Sequence, residues 1–155
     1  MQKTLIAFAL AASVLVGCEN AGRQSSAGIN PDELIFVVEM SVNEGRSLED
    51  VAAFARSYTE AVERGEPDSL GWGFFEAGEQ VMLIERYRNG EAMMQHGKNI
   101  SEGGALESEF GEFQKFFTIE QIDVYGNASD ELREFVKPFG LPFAFHPVHA
   151  SFSRD

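Results

Sequence analysis

Two side chains of this sequence have the type and the setting for acid–base chemistry, His96 and Glu85. The unperturbed pKa of an imidazole is about 6.5, so His96 is suited to abstract a proton at neutral pH. Glu85 follows an apolar run, where it could orient His96 or act as the base itself once it is desolvated. We predict both as catalytic residues. The alternatives are a His96 that lies on the helix surface or is simply packed, and a Glu85 that pairs with Arg86 or Arg88 or forms a buried hydrogen bond between subunits.

Four further residues are predicted to line an apolar pocket beside this pair: Glu39, Trp72, Phe74 and Tyr87. The chain contains 14 Phe residues, an excess that requires either a large core or an apolar cavity. Large aromatic side chains in strands are more often simply part of a core, and this alternative applies to Trp72 and Tyr87. Glu39 is unusual in an otherwise apolar strand, although the end of a strand at the rim of a barrel tolerates a charge.

Other chemistries have little support in the sequence. His146 and His149 are close together, but Pro147 between them excludes a helix and nothing fixes further ligands, so no metal site is predicted. Serine and cysteine nucleophile motifs, phosphate-binding loops and dinucleotide-binding fingerprints are absent from the sequence. The 12 Lys and Arg against 25 Asp and Glu give a net charge of −13. Phosphate binding needs clustered cations, so nucleic acid is disfavoured as a partner.

The N-terminus has the pattern of an export signal followed by a lipid attachment site. An uncharged apolar run from Leu5 to Val16 is shorter than the ~20 residues that span a bilayer as a helix. The single cysteine, Cys18, follows Leu15-Val16-Gly17, and this pattern resembles a bacterial lipoprotein box. We therefore predict a signal peptide over residues 1–17, lipidation of Cys18 and a flexible tether over residues 18–33. A plain secretory signal with a stray cysteine is the alternative.

The predicted location is the cell envelope, with the lipid anchor on Cys18 as the contact with the membrane. Glu19 after the cysteine resembles lipoproteins that leave the inner membrane, which indicates the periplasmic side of the outer membrane. A tether of about fifteen residues reaches roughly 20 Å on average, so the folded body would lie near the membrane without touching it.

The pattern of the remaining chain predicts an α+β domain over residues 34–126. Strand-like runs and helical apolar stripes follow in the order β-α-β-β-α-β, the ferredoxin-like arrangement of one antiparallel sheet with helices on one face. Ser47 and Asn89 are predicted to cap the two helices. Residues 127–155 are predicted to form a C-terminal extension, with a short helix capped by Ser129 and an extended tail that packs on the body or on a partner subunit.

The sheet face that no helix covers is predicted to carry mixed polar and apolar residues, among them Glu39, Glu85 and Tyr87. A face with this much apolar surface meets water poorly, so we expect a second copy of the chain to cover it. A cavity would lie on that face. The predicted assembly is a homodimer.

Three motifs of the predicted domain resemble the antibiotic biosynthesis monooxygenase (ABM) family. They are residues 66–75 (EPDSLGWGFF) at the start of the second strand, residues 83–87 (LIERY) at the end of the third, and the second helix from Glu91-Ala92 to His96. The resemblance implies a dimeric α+β barrel, in which two sheets pack face to face, with an apolar pocket in each protomer.

The ABM resemblance also carries expectations about activity. Some members oxidise polycyclic aromatic or quinol substrates with molecular oxygen and without a metal or flavin, so no cofactor is expected. Other members degrade haem with an Asn on the first strand, a Trp that ends the third and a His on the second helix. The residues that correspond to the first two are Glu39 and Tyr87 in this sequence, so only the His is kept, which disfavours haem degradation.

Two classes of function follow. One is an envelope-anchored, cofactor-independent monooxygenase that acts on a quinol or a polycyclic aromatic small molecule, with His96 as the base. The other is a non-catalytic dimeric barrel that binds a small apolar ligand or an envelope protein. Fold alone does not distinguish them. The catalytic hypothesis requires His96 and Glu85 to face the same cavity.

Overall fold

The computed structural model describes residues 32–151 of the chain. These residues form one mixed sheet of five strands and four α-helices. The strands are β1 (Leu34–Val42), β2 (Ser69–Ala77), β3 (Gln80–Tyr87), β4 (Phe117–Tyr125) and β5 (Phe143–His146). The helices are α1 (Leu48–Gly65), α2 (Gly90–Asn99), α3 (Glu107–Phe116) and α4 (Asp130–Val136), followed by a short 3-10 helix (Lys137–Phe139). The order of strands across the sheet is β2-β3-β1-β4-β5. The predicted β-α-β-β-α-β core is confirmed, with its second helical segment divided into α2 and α3.

The predicted signal peptide over residues 1–17, the predicted lipidation of Cys18 and most of the predicted tether lie outside the described residues. Glu33, which we assigned to the tether, is buried, and its carboxylate lies 2.6 Å from the guanidinium of Arg86. The folded body therefore begins before β1. No helix within residues 32–151 is both long and apolar enough to cross a bilayer.

The helix starts follow the predicted caps. The side chains of Ser47, Asn89 and Ser129 each accept a hydrogen bond from the backbone N–H three residues further along the chain. These bonds satisfy donors that the first turn of a helix leaves without a partner. The cap at Asn89 fixes where α2 begins, and α2 carries His96.

The C-terminal extension differs from the prediction because it adds a strand to the sheet. β5 pairs in parallel with β4, with Phe143 opposite Ile122, so the sheet is mixed rather than antiparallel. Pro142 and Pro147 flank β5, and because proline has no backbone N–H it limits the strand to four residues at the edge of the sheet. The expectation that the tail packs on the body is confirmed.

The two faces of the sheet are not the ones predicted. Leu34 and Phe36 of β1 are buried under the helices, and they pair in register with Tyr87 and Glu85 of β3. Glu85 and Tyr87 therefore lie on the helix-covered face, whereas Glu39 lies on the opposite, open face. The prediction that these three residues share the open face, and that the cavity lies there, is wrong. β3 is apolar on both faces, so its residues alone did not indicate which side each one takes.

Close packing between α2 and α4 can be tested with a pair of glycine substitutions. A Cβ atom on Gly97 of α2 would lie 2.6 Å from Cε1 of Phe135, whereas a Cβ atom on Gly111 of α3 would have no atom within 4 Å. We expect Gly111→Ala to raise the free energy of unfolding by about 0.5–1 kcal/mol, the usual gain of alanine over glycine in a helix. Gly97→Ala should instead lower it by about 1–2 kcal/mol, because overpacking outweighs that gain. Denaturant unfolding of both variants measures the difference, and equal effects would contradict this packing.

Candidate active site

A small apolar cavity lies between the helix-covered face of the sheet and the helices. Its volume is about 60 Å³. Glu85 of β3 and His96 of α2, the two predicted acid–base residues, both lie in its wall. The C-terminal extension closes part of the wall with apolar side chains, namely Phe139, Leu141 and Phe143.

His96 is held by a buried carboxylate, that of Glu66, at the C-terminal end of α1. Both side chains are only 5% exposed, and Nδ1 of His96 lies 3.0 Å from each carboxylate oxygen of Glu66. The same carboxylate accepts hydrogen bonds from Nδ2 of Asn99 at 2.9 Å and from Oγ of Ser69 at 3.1 Å. Three donors thus surround Glu66 and fix the orientation of the imidazole.

The protonation of this pair follows from its contacts. Burial raises the pKa of Glu66, but hydrogen bonds and charge from His96, with the bonds from Asn99 and Ser69, outweigh it and lower the pKa. An ionised carboxylate can only accept, so Nδ1 of His96 carries a hydrogen and its Nε2 holds the lone pair when the ring is neutral. Burial lowers the pKa of His96, but the bond to Glu66 and the charges of Glu85 and Glu66 raise it overall. His96 is therefore a stronger base than an exposed histidine.

Glu85 has the opposite character to Glu66. It is 7% exposed, and its Oε2 accepts a hydrogen bond from the hydroxyl of Tyr87 at 2.7 Å. Burial raises the pKa of Glu85, while the charge of His96 and the bond from Tyr87 oppose that shift only in part. Burial and the charge of Glu85 also raise the pKa of Tyr87, which stays a neutral phenol. Glu85 holds a proton to a higher pH than an exposed glutamate and can donate it inside the cavity.

Aromatic rings enclose the imidazole of His96. The ring of Trp72 lies 5.1 Å from it and that of Tyr87 lies 5.8 Å from it, measured between centroids. Trp72 stacks in turn on Tyr58 at 5.9 Å. Nε1 of Trp72 is buried and has no hydrogen-bond acceptor within the described part of the chain. This enclosure keeps water away from the His96–Glu66 pair and strengthens its electrostatic interactions.

The structure brings most of the predicted site residues together on the helix-covered side: His96, Glu85, Trp72, Phe74 and Tyr87. His96, Glu85 and Trp72 line the cavity. Phe74 packs edge-on against the ring of Tyr58 at 6.3 Å, behind the cavity wall. Glu39 is separated from this group by the sheet itself.

Sequence reasoning missed Glu66 as a site residue. Its position held a usable signal, because a carboxylate at the C-terminal end of a helix faces the negative end of the helix dipole. An acidic residue in that place needs a compensating partner. The partner is His96, thirty residues further along the chain, and sequence spacing did not reveal that contact.

The other two histidines, His146 and His149, lie on the open side of the sheet. Nε2 of His146 lies 2.6 Å from Oδ1 of Asp123, and its ring stacks on Tyr125 at 4.8 Å. His149 contributes to a hollow of about 400 Å³ beside it, which is larger than the cavity that holds His96. Within residues 32–151, no group of three or more His, Cys, Asp or Glu side chains is placed to hold a metal ion.

Comparison with known proteins identifies the fold. The chain is similar to the crystal structure of MupZ from Pseudomonas fluorescens, with a TM-score of 0.63 and 24% identity over 79% of this chain and 94% of that one. It is also similar to SnoaB, a cofactor-independent oxygenase from Streptomyces nogalater solved as a mutant, with a TM-score of 0.51 and 12% identity over 63% and 95% of the two chains. The chain has the ABM-domain fold. The resemblance stated from the sequence is thereby confirmed for the fold. No family model matches the chain, and no curated protein matches it.

Within this ABM-domain fold, the emission of Trp72 should report the protonation of His96, because Trp72 is the only tryptophan of the chain. A protonated imidazole quenches a neighbouring indole more strongly than a neutral one. The raised pKa of His96 predicts that quenching begins, as the pH falls, at a higher pH than an exposed histidine would give.

Glu66→Gln removes a charge that raises the pKa of His96 and should move the midpoint of this titration to lower pH. Glu39→Gln, on the opposite face, is the matched control and should leave the midpoint unchanged. A fluorescence titration of the three proteins measures the shift. The same midpoint in all three would show that Glu66 does not set the protonation of His96.

Proposed function

We propose that this protein is a cofactor-independent monooxygenase that acts on a small aromatic molecule with an acidic O–H or C–H bond, such as a quinol or an anthrone. The observation that carries the proposal is the buried His96–Glu66 pair in the wall of an apolar cavity that also contains Glu85. This arrangement combines a strengthened base, a carboxyl group with a raised pKa and an apolar cavity. The similarity to SnoaB supports it through the fold.

The first step is removal of a proton by Nε2 of His96. The imidazolium that forms is stabilised by the carboxylate of Glu66, which lies 3.0 Å from Nδ1. The substrate anion then supplies electrons to molecular oxygen, so no separate electron carrier is needed. For an anthrone the balance is one O₂ consumed, one oxygen atom retained as the new carbonyl and the other released as water with the two hydrogens of the CH₂ group.

Glu85 stabilises the negative charge that this step creates. Its raised pKa leaves it able to donate a hydrogen bond to an oxygen that becomes an oxyanion. Tyr87 holds the carboxyl group in place through the 2.7 Å bond to Oε2. His96 and Glu85 thus divide the roles of base and acid between them.

The cavity must enlarge to admit such a substrate. Its volume of about 60 Å³ is well below the roughly 300–1,000 Å³ of pockets that hold drug-sized ligands. The C-terminal extension is the part of the wall that joins the sheet only through the four-residue strand β5. We infer that displacement of Phe139, Leu141 and Phe143 opens the cavity for the substrate.

Oxygen consumption with defined substrates tests the proposal. The purified protein should consume O₂ with anthrone or a naphthoquinol, and a reaction in ¹⁸O₂ should place one labelled atom in the product and one in water. Omission of metals and flavins should not change the rate. A protein that consumes no oxygen with either substrate class contradicts the proposal.

The second candidate is a non-catalytic barrel that binds a small apolar ligand or an envelope protein. The small volume of the cavity favours this function, because it suits a ligand smaller than a polycycle. Mass spectrometry of the purified protein tests it, since a bound molecule should be released on denaturation without chemical change.

A homodimer is part of both proposals. The open face of the sheet carries the half-buried apolar side chains of Ile35, Val37 and Ile84, and the neighbouring Phe75 is 53% exposed. Apolar side chains exposed on an open sheet face are typical of a protein interface. Sedimentation at micromolar concentration should give a dimer, and a folded monomer would contradict it.

Anchoring through Cys18 gives a separate prediction. Cys18→Ser removes the thiol that would carry the lipid, so the protein should leave the membrane fraction or remain unprocessed. Two or more acyl chains hold a protein on a bilayer, and a protein that lacks them has no such anchor. Fractionation of cells and gel migration of the two proteins measure the effect. A variant that fractionates and migrates like its parent would contradict lipidation.

A further inference from the structure

Trp72 lines the cavity, and its indole N–H is a hydrogen-bond donor without a partner in the described part of the chain. Its indole Nε1 is buried, and no acceptor within residues 32–151 lies in hydrogen-bonding range. Buried indole N–H groups normally have a partner, because leaving one without any costs free energy. The donor therefore points to an acceptor that the chain itself does not supply.

The ring of Trp72 is fixed in place. It pairs in register with Glu85, stacks on Tyr58 at 5.9 Å and meets Tyr87 nearly at a right angle at 6.4 Å. Rings that pack on two sides of the indole keep it from turning its N–H toward another part of the protein. The orientation of the indole, and with it the direction of its N–H, is thus fixed by these rings.

The two buried carboxylates beside His96 accept hydrogen bonds from residues other than Trp72. The two oxygens of Glu66 receive hydrogen bonds from His96, Asn99 and Ser69. Glu85 receives a bond from Tyr87 at one oxygen. Since no acceptor of the described residues bonds Nε1 of Trp72, a ligand oxygen can be its partner.

We propose that Nε1–H of Trp72 donates a hydrogen bond to a carbonyl or phenolic oxygen of the ligand, and that this bond selects oxygen-bearing aromatic molecules over hydrocarbons of the same shape. This inference rests on the proposed function for the identity of the ligand class. It adds Trp72 as a specificity-determining residue, next to the base His96. The bond would place the oxygen-bearing ring within reach of both His96 and Glu85.

Binding of a matched pair of molecules tests the inference. Anthrone and 9,10-dihydroanthracene share one carbon skeleton, and only anthrone has an oxygen. Under nitrogen, where no oxidation occurs, the full chain should bind anthrone about tenfold or more tightly than the hydrocarbon, because the hydrocarbon leaves the N–H buried without a partner. Equal affinities would overturn the inference.

The single tryptophan allows a direct readout. With ¹⁵N-labelled tryptophan the chain gives one indole signal, and anthrone should shift its proton downfield while dihydroanthracene should not. Incorporation of the benzothiophene analogue of tryptophan changes residue 72 alone and replaces N–H by sulfur with little change in shape. The preference for anthrone should then fall about tenfold. An unshifted indole signal, or an unchanged preference, would overturn the inference.

Failure of this inference can be separated from failure of the proposed function. If anthrone binds with the expected preference and indole shift but is not oxidised in air, the inference stands and the monooxygenase function fails. If anthrone is oxidised with the same KM by the natural and the benzothiophene proteins, the function stands and the inference fails.

Discussion

Replacement of His96 by Gln is expected to lower the rate of oxygen consumption with anthrone by about 10²–10⁴-fold, the usual contribution of a positioned base. The amide of Gln can donate to the carboxylate of Glu66, as Nδ1 of His96 does at 3.0 Å, but it cannot take a proton at neutral pH. The substitution thus removes the basic nitrogen and keeps a donor for the buried charge. His96→Ala would leave that carboxylate without one of its donors, so a loss of stability could not be separated from a loss of activity.

The rate per folded molecule is the quantity to compare, with the folded fraction taken from circular dichroism. Glu39→Gln, on the open face of the sheet, is a control that makes a similarly small change in side-chain volume, and it should retain the full rate. Glu66→Gln should lower the rate less than His96→Gln, because it weakens the base without removing it. Unchanged turnover in folded His96→Gln would exclude His96 as the base and leave Glu85 as the remaining candidate, to be tested with Glu85→Gln.

Replacement of Leu132 by Ala is expected to lower the free energy of unfolding by about 2–5 kcal/mol, the cost of a large cavity in a core. Leu132 lies in α4, in the C-terminal extension, and its side chain is completely buried in the main core. One of its methyl groups, Cδ2, lies within 3.8 Å of where a Cβ on Gly90 of α2 would be. The extension is thus part of the core of the domain.

Leu48→Ala is the matched control, because Leu48 is 62% exposed and its truncation should change stability by no more than about 0.5 kcal/mol. Denaturant unfolding followed by circular dichroism measures both variants. If the extension were an independent appendage, Leu132→Ala would have as little effect as Leu48→Ala. A red shift of the Trp72 emission in Leu132→Ala would further show that the extension shields the cavity.

Local signals were sufficient for most of the fold. The caps at Ser47, Asn89 and Ser129 and the apolar stripes of the helices depend on residues a few positions apart, so the sequence displays them directly. β5 was less visible, since a four-residue strand between two prolines has no periodicity of its own. Its pairing with β4 depends on a contact between distant parts of the chain.

The candidate site was only partly predictable for a related reason. His96 and Glu85 stood out by residue type, but the partner that makes His96 basic, Glu66, is a neighbour only in the folded protein. The face of β3 could not be inferred from β3, because Met82 and Ile84 on one side are as apolar as the buried Leu83 on the other. Only the register with β1, in which Phe36 lies opposite Glu85, settles it.

Because β5 is the last strand along the described part of the chain, the wall of the cavity is completed late in synthesis. The wall of the cavity joins Phe36, near the start of the body, to Phe143, near its end. Contacts this distant along the chain form slowly, and a ribosome delivers the N-terminal strands first. A nascent chain that ends before residue 143 therefore presents an open aromatic trough, a surface for chaperones to bind. The C-terminal extension covers the aromatic side chains of the cavity wall only after β5 has been synthesised, so a prematurely terminated product would keep that trough exposed and be prone to aggregate.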